Sequence, residues 1–274
     1  MKKNYKLLMV AFLLVATVIS CKTVKMTGRK QFNMVPNSQI FPASFAQYNG
    51  FLKEHKVSTD ATQSERIKRI GNRLIKAVEK YYKKNGWEDD LKGYQWEVNL
   101  VEDPQMNAFC MPGGKIVYYT GLLKVTTTDD EIAAVMGHEI AHALANHGAE
   151  RMSMAYGQQL GAVLTMLATS KAKPEDQQKW MAIYGYGSQL GVMLPYSRKH
   201  ESEADKMGQI IMAIAGYNPD AAANVWVKMS KMGGQQPPEF LSTHPSHERR
   251  MENLRKWAPE AKRIAKQFGV IFDK

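Results

Sequence analysis

The chain has 274 residues and a formal net charge of +11. Without residues 1–20, which hold three lysines and no acids, 254 residues and a charge of +8 remain. That length can bury one substantial core as a single domain, and that charge suits a surface near anionic lipid or acidic partners. No block of consecutive Lys/Arg and no nucleic-acid motif accompanies it, so a DNA or RNA role is excluded.

Residues 1–20 read as a leader. Lys2, Lys3 and Lys6 precede an apolar run from Leu7 to Ile19, too short to span a bilayer, and Val18-Ile19-Ser20-Cys21 ends it. The pattern resembles a bacterial lipoprotein signal, whose cleavage would leave Cys21 as an acylated N-terminus and membrane anchor. Lys22 in place of an acidic residue points to the outer membrane, facing the periplasm. With Cys21 lipidated, Cys110 has no intramolecular partner, so no structural disulfide is expected. Residues 21–60 read as a tether followed by a wrapping segment, and 61–274 as the folded domain.

A helix is expected from a Thr62-Gln63-Ser64-Glu65 capping box, with Ile67, Ile70, Leu74, Val78 and Tyr81 on its core face. Alternation of Tyr94, Trp96, Val98 and Leu100 predicts a strand over 94–101. Asp103-Pro104 and Pro112-Gly113-Gly114 turn the chain around short strands at 107–111 and 115–120. An open strand edge there could bind an extended substrate backbone by strand addition.

Thr128 and Glu131 form a second capping box. It opens a helix with Ile132, Val135, Met136, Ile140 and Leu144 on its apolar stripe, and this helix carries His138-Glu139-Ile140-Ala141-His142. Positions i and i+4 share a helix face, so the two imidazoles can grip one Zn²⁺, with Glu139 placed as general base for an attacking water. A third ligand must come from elsewhere. Downstream, Pro195 starts a helix that runs to Gly216, with Glu201 and Asp205 on one face. That spacing suits a carboxylate ligand and a second carboxylate that accepts the free N–H of a metal-bound histidine. His200, Ser202 and Glu203 are nearby candidates on other faces. His147 lies off the ligand face and is expected to pack or bond locally.

Between these helices, 155–194 is Met-, Gly- and Ala-rich. Its apolar stretch Leu160 to Ala168 reads as core or as a lid over the cleft. Helices near 219–232 and 246–256 follow, separated by a Gly233-Gly234-Gln235-Gln236-Pro237-Pro238 loop.

The His-Glu-x-x-His helix followed by Glu-x-x-Ala-Asp resembles the HtpX/BepA/LoiP-type family of zinc metallopeptidases, which also takes in CAAX prenyl proteases and mitochondrial Oma-type proteases. Asn107-Ala108-Phe109, Pro112-Gly113-Gly114, Gly121-Leu122-Leu123, the run from His138 to Ser153, and Thr243-His244-Pro245-Ser246-His247-Glu248-Arg249 are similar too, so the resemblance spans roughly residues 60–257. Cys110-Met111 departs from the small or aliphatic residues usual there.

The resemblance implies a zincin-like metallopeptidase domain: α+β, mostly helical, with a small β-sheet beside the metal-binding helix. It implies one Zn²⁺ per chain on His138, His142 and Glu201, with Glu139 catalytic; the spacing of Asp205 to Glu201 adds the supporting carboxylate behind. Tyr196, Arg198, His244 and His247 are the candidate oxyanion donors. His244, next to the Gly/Pro-rich loop, could alternatively latch the open coordination position. The expected activity is endopeptidase hydrolysis of misfolded or stalled envelope proteins by a lipid-anchored enzyme. The rival reading is a zinc-stabilised, chaperone-like or binding lipoprotein with little turnover, against which an intact Glu139 argues.

Overall fold

The computed structural model describes residues 21–231 and 248–272. Residues 1–20, expected to be a leader, the Gly/Pro-rich loop, His244 and His247 lie outside the described residues. The described residues fall into two compact units, one within Met1–Pro36 and Asn146–His200, the other within Asn37–Ala145 and Glu201–Lys274.

In the larger unit, α1 (Asn37–Glu54) and α2 (Ala61–Lys84) lead into β3 (Glu97–Val101), β4 (Ala108–Met111) and β5 (Lys115–Tyr119). The sheet order is β3-β5-β4, with β3–β5 parallel and β4–β5 antiparallel. Every residue of β5 is buried, as expected of a central strand covered on both faces. Tyr48 of α1 packs with Val101, Val117 and Tyr119 on one face. By strand alternation Ile116 and Tyr118 face the other way, where Tyr118 Oη lies 2.6 Å from Thr126 Oγ1. β4 is left at one edge of the sheet.

Helix α3 (Asp129–Leu144) starts at a complete capping box. Thr128 Oγ1 accepts the Glu131 N–H at 3.2 Å, and Glu131 Oε2 accepts the Thr128 N–H at 3.2 Å. Asp129, in the first turn, accepts from Arg66 and Arg69 of α2, both at 2.7 Å. Helices α7 (Ala221–Lys231) and α8 (Glu248–Lys266) complete the unit, with α7 packed on both α3 and α8.

Two expectations are corrected. Helix α2 is capped by Asp60, whose Oδ1 accepts the Gln63 N–H at 2.9 Å, so the helix begins at Ala61 and Thr62 lies inside the first turn. The 94–101 strand begins only at Glu97, because Tyr94 and Trp96 serve as packing rings, Tyr94 edge-on to Phe41 and tilted against Trp96.

In the smaller unit, β1 (Cys21–Thr23) pairs antiparallel with β2 (Lys30–Phe32), followed by α4 (His147–Ala168) and α5 (Pro174–Ser188). A π-helical turn at Gln189–Met193 leads into α6 (Leu194–Ile214), and the chain passes to the larger unit between His200 and Glu201. A buried polar cluster anchors the base of α4. The Arg29 fork donates to both Glu150 oxygens at 2.9 and 2.7 Å, His200 Nε2 lies 2.9 Å from Glu150 Oε2, and His147 stacks on His200. Burial alone would raise the Glu150 carboxyl, but His200 and Arg29 outweigh it and hold it down at about 2. Beyond this base the hairpin is thinly covered. Between Ser153 and His200 none of the described side chains is buried, so Leu160 to Ala168 is not core.

Candidate active site

Helix α3 presents His138, Glu139 and His142 within one turn, and α6 brings Glu201 and Asp205 to them; all five are buried. His138 Nε2 and His142 Nε2 lie 3.0 Å apart. Glu201 Oε2 is 3.4 Å from His138 Nε2, and Glu201 Oε1 is 3.4 Å from His142 Nε2. Ligands about 2.0–2.1 Å from a tetrahedral zinc lie roughly 3.3 Å from one another. Two neutral imidazole nitrogens and one carboxylate at this spacing fit one zinc ion with a fourth position to spare.

The close approach of α3 and α6 depends on two glycines. A Cβ on Gly208 would sit 2.8 Å from His138 N, and one on Gly137 would sit 3.0 Å from Gly208 O. Gly208 leaves no room for a Cβ and Gly137 room only for a tight one, so the two backbones meet closely where the ligands converge.

Behind the cluster, Asp205 Oδ1 lies 3.0 Å from His138 Nδ1. An N–H on Nδ1 donated to that carboxylate leaves Nε2 with its lone pair toward the cluster. Arg250 of α8, which was absent from the sequence-derived candidates, completes the arrangement. Its Nε and Nη2 donate to Asp205 at 2.5 and 2.8 Å, its Nη1 lies 3.1 Å from Glu201 Oε2, and its guanidinium covers the Trp226 ring at 3.6 Å. Burial would raise the Asp205 carboxyl, but Arg250 and His138 outweigh it and hold it below the usual range. Burial would likewise lower His138, yet Asp205 and Glu201 push it up to about 9.

Arg250 had a signal in the sequence. Arg250, Leu254, Ala258, Ala261 and Ala265 are the buried residues of α8 and follow helical spacing, so the arginine opens an apolar stripe. A lone cation in that position is a buried cation in need of an acidic partner.

Cys110 lies on β4, half-buried and outside the ligand cluster. Burial, and after it the Glu139 charge, push its thiol well above the ordinary range, so it stays protonated. Glu203 is buried, and His147 and His200 belong to the polar cluster of the smaller unit. Tyr196 and Arg198 also lie in that unit, Tyr196 edge-on to His200 and Arg198 Nε donating to Leu194 O at 3.4 Å.

Residues 61–258 match the model of peptidase family M48. The chain belongs to that family. It is 40% identical over 164 residues to the mitochondrial metalloendopeptidase OMA1 of Arabidopsis thaliana, covering 60% of this chain and 32% of that protein. To the mitochondrial metalloendopeptidase OMA1 of Saccharomyces cerevisiae it is 37% identical over 209 residues, 73% of this chain and 58% of that protein. With the β-barrel assembly-enhancing protease of Escherichia coli it shares 27% identity over 182 residues, 63% of this chain and 36% of that protein. The chain therefore spans between about a third and three fifths of the length of these relatives. They overturn the expected lipid-anchored, outer-membrane location facing the periplasm, since the two more similar of the three are mitochondrial. That expectation leaned on the leader pattern ending at Cys21 and on Lys22, all outside the matched residues.

Proposed function

We propose that the chain is a zinc-dependent metalloendopeptidase that cuts misfolded or stalled polypeptides. The observation that carries this reading is the convergence of His138, His142 and Glu201 at ligand spacing, with Glu139 buried on the same helical turn. Zinc held there would supply the Lewis acidity that amide hydrolysis needs. Glu139 accepts a proton from the attacking water at its carboxylate and returns it to the leaving amine. Asp205 and Arg250 fix His138 and Glu201 in position, and burial keeps bulk water from competing for the carboxylates. The β4 edge beside α3 offers backbone groups to an extended substrate, a mode that reads main chain with little side-chain selectivity.

Glu139→Gln should keep near-stoichiometric zinc and lose hydrolysis of an unstructured peptide by several orders of magnitude, roughly a factor of 10² to 10⁴ or more. Retained turnover in that variant, with zinc bound, overturns the assignment.

A further inference from the structure

The smaller unit contains a helical hairpin built inside out. Its polar groups bond between the two helices. Tyr184 Oη donates to Gln158 O at 2.8 Å, and Gln158 Nε2 donates to Ser188 Oγ at 2.8 Å. Gly161 gives Tyr184 room, since a Cβ there would lie 2.1 Å from its hydroxyl. The large apolar side chains point outward instead. Leu160, Leu164 and Leu167 follow one another along one stripe of α4, and Trp180, Ile183 and Tyr186 line α5. All six are more than half exposed, up to 73% for Tyr186. A hairpin made for water places these two sets the other way round.

The charge pattern names the occupant of that surface. Residues 152–170 and 180–197 contain no Asp, Glu, Lys or Arg on any face. A helix that docks on another protein loses charge from one face only, and keeps it on the face turned to solvent. A small residue, Gly161, at the helix contact, polar groups bonded within it and an uncharged exterior suit a hydrocarbon surrounding. The charges gather at the two ends. Lys171, Lys173 and Lys179 flank the turn, where Glu175 and Asp176 also lie, and Arg151, Arg198 and Lys199 stand at the base, six basic residues against two acidic over 151–199. The uncharged length of α4, residues 152–168, is about 26 Å at 1.5 Å per residue. With charge at both ends, and with no helix among the described residues long and apolar enough to cross a membrane, a plunging orientation would bury charge.

We propose that the α4–α5 hairpin is a membrane-docking element that lies flat in the headgroup–acyl boundary of an anionic bilayer. Its leucine stripe and Trp180 reach the acyl chains, and the basic residues at its ends meet lipid phosphates. This inference does not depend on the peptidase activity.

The test uses the full chain with vesicles of phosphatidylcholine and phosphatidylglycerol, in which the phosphatidylcholine carries dibrominated acyl chains. Emission of the wild type minus that of Trp180→Phe isolates the Trp180 signal, so other points of attachment do not contribute. The expected result is loss of about half or more of that signal on brominated vesicles, and its recovery in a Leu164→Lys/Leu167→Lys variant with unchanged zinc content. A Trp180 signal insensitive to brominated lipid overturns the proposal. So does a dimer in sedimentation that the two lysines convert to monomer, because the apolar stripe would then be covered by a second copy.

Discussion

Removing Arg250 would leave Asp205 and Glu201 buried without the guanidinium that pairs with both. Breaking a buried pair of this kind costs about 3–5 kcal/mol, so Arg250→Ala should unfold readily. Arg250→Lys is more informative. It keeps the charge but loses the two-pronged grip on Asp205, and with it the orientation of His138. We expect zinc affinity to fall about 10–100-fold while the fold persists, measured by competition with a chelator. Wild-type affinity would show that the guanidinium is structural only. Glu201 and Asp205 were readable at this scale because their four-residue spacing on one helix is local information. The arginine that ties them together comes from a helix that starts 43 residues after Asp205, and no local pattern in α6 calls for it.

At the scale of elements, the catalytic geometry rests on the crossing of α3 and α6. The capping box of α3 and the Gly216 stop of α6 (φ +84) were legible, because caps and helix ends depend on neighbouring residues. Helix α1 was not, since Pro42 lies inside it and the surrounding Asn and Gly residues read as linker. The glycine contact between α3 and α6 was equally hidden, because it joins residues far apart in the chain. Gly208→Ala should force the helices apart at His138, costing about 1–3 kcal/mol and weakening zinc binding. Gly50→Ala serves as the contrast. A Cβ there meets nothing within 4 Å, so the better helix former should stabilise α1 by about 0.5–1 kcal/mol. Denaturant midpoints and zinc titration of both variants decide the matter. Equal, small effects would mean that the crossing tolerates a methyl group.

Across the whole molecule, a zinc ion on His138, His142 and Glu201 would be a cross-link between helices that are distant in sequence, so metal binding becomes folding free energy. At a free zinc concentration about a thousandfold above Kd, the loaded protein should gain roughly 4 kcal/mol, and chelation should remove it. His138 sets the pH dependence. Its imidazole is raised to about 9 by Asp205 and Glu201 despite burial, against an ordinary value near 6.5. The protonated ring therefore stabilises the chelated protein below about pH 6.5, and that contribution is lost as pH rises through about 9. Zinc must displace the same proton, so its affinity climbs by about tenfold per pH unit over this window and levels off above it. The gap in Tm between zinc-loaded and chelated protein should thus widen steadily from pH 6.5 to pH 9. Glu139→Gln should show the same gap, since that residue holds no metal. Thermal scans at four or five pH values, with and without chelator, make the comparison. A gap independent of pH would mean that His138 gives up no proton when zinc binds.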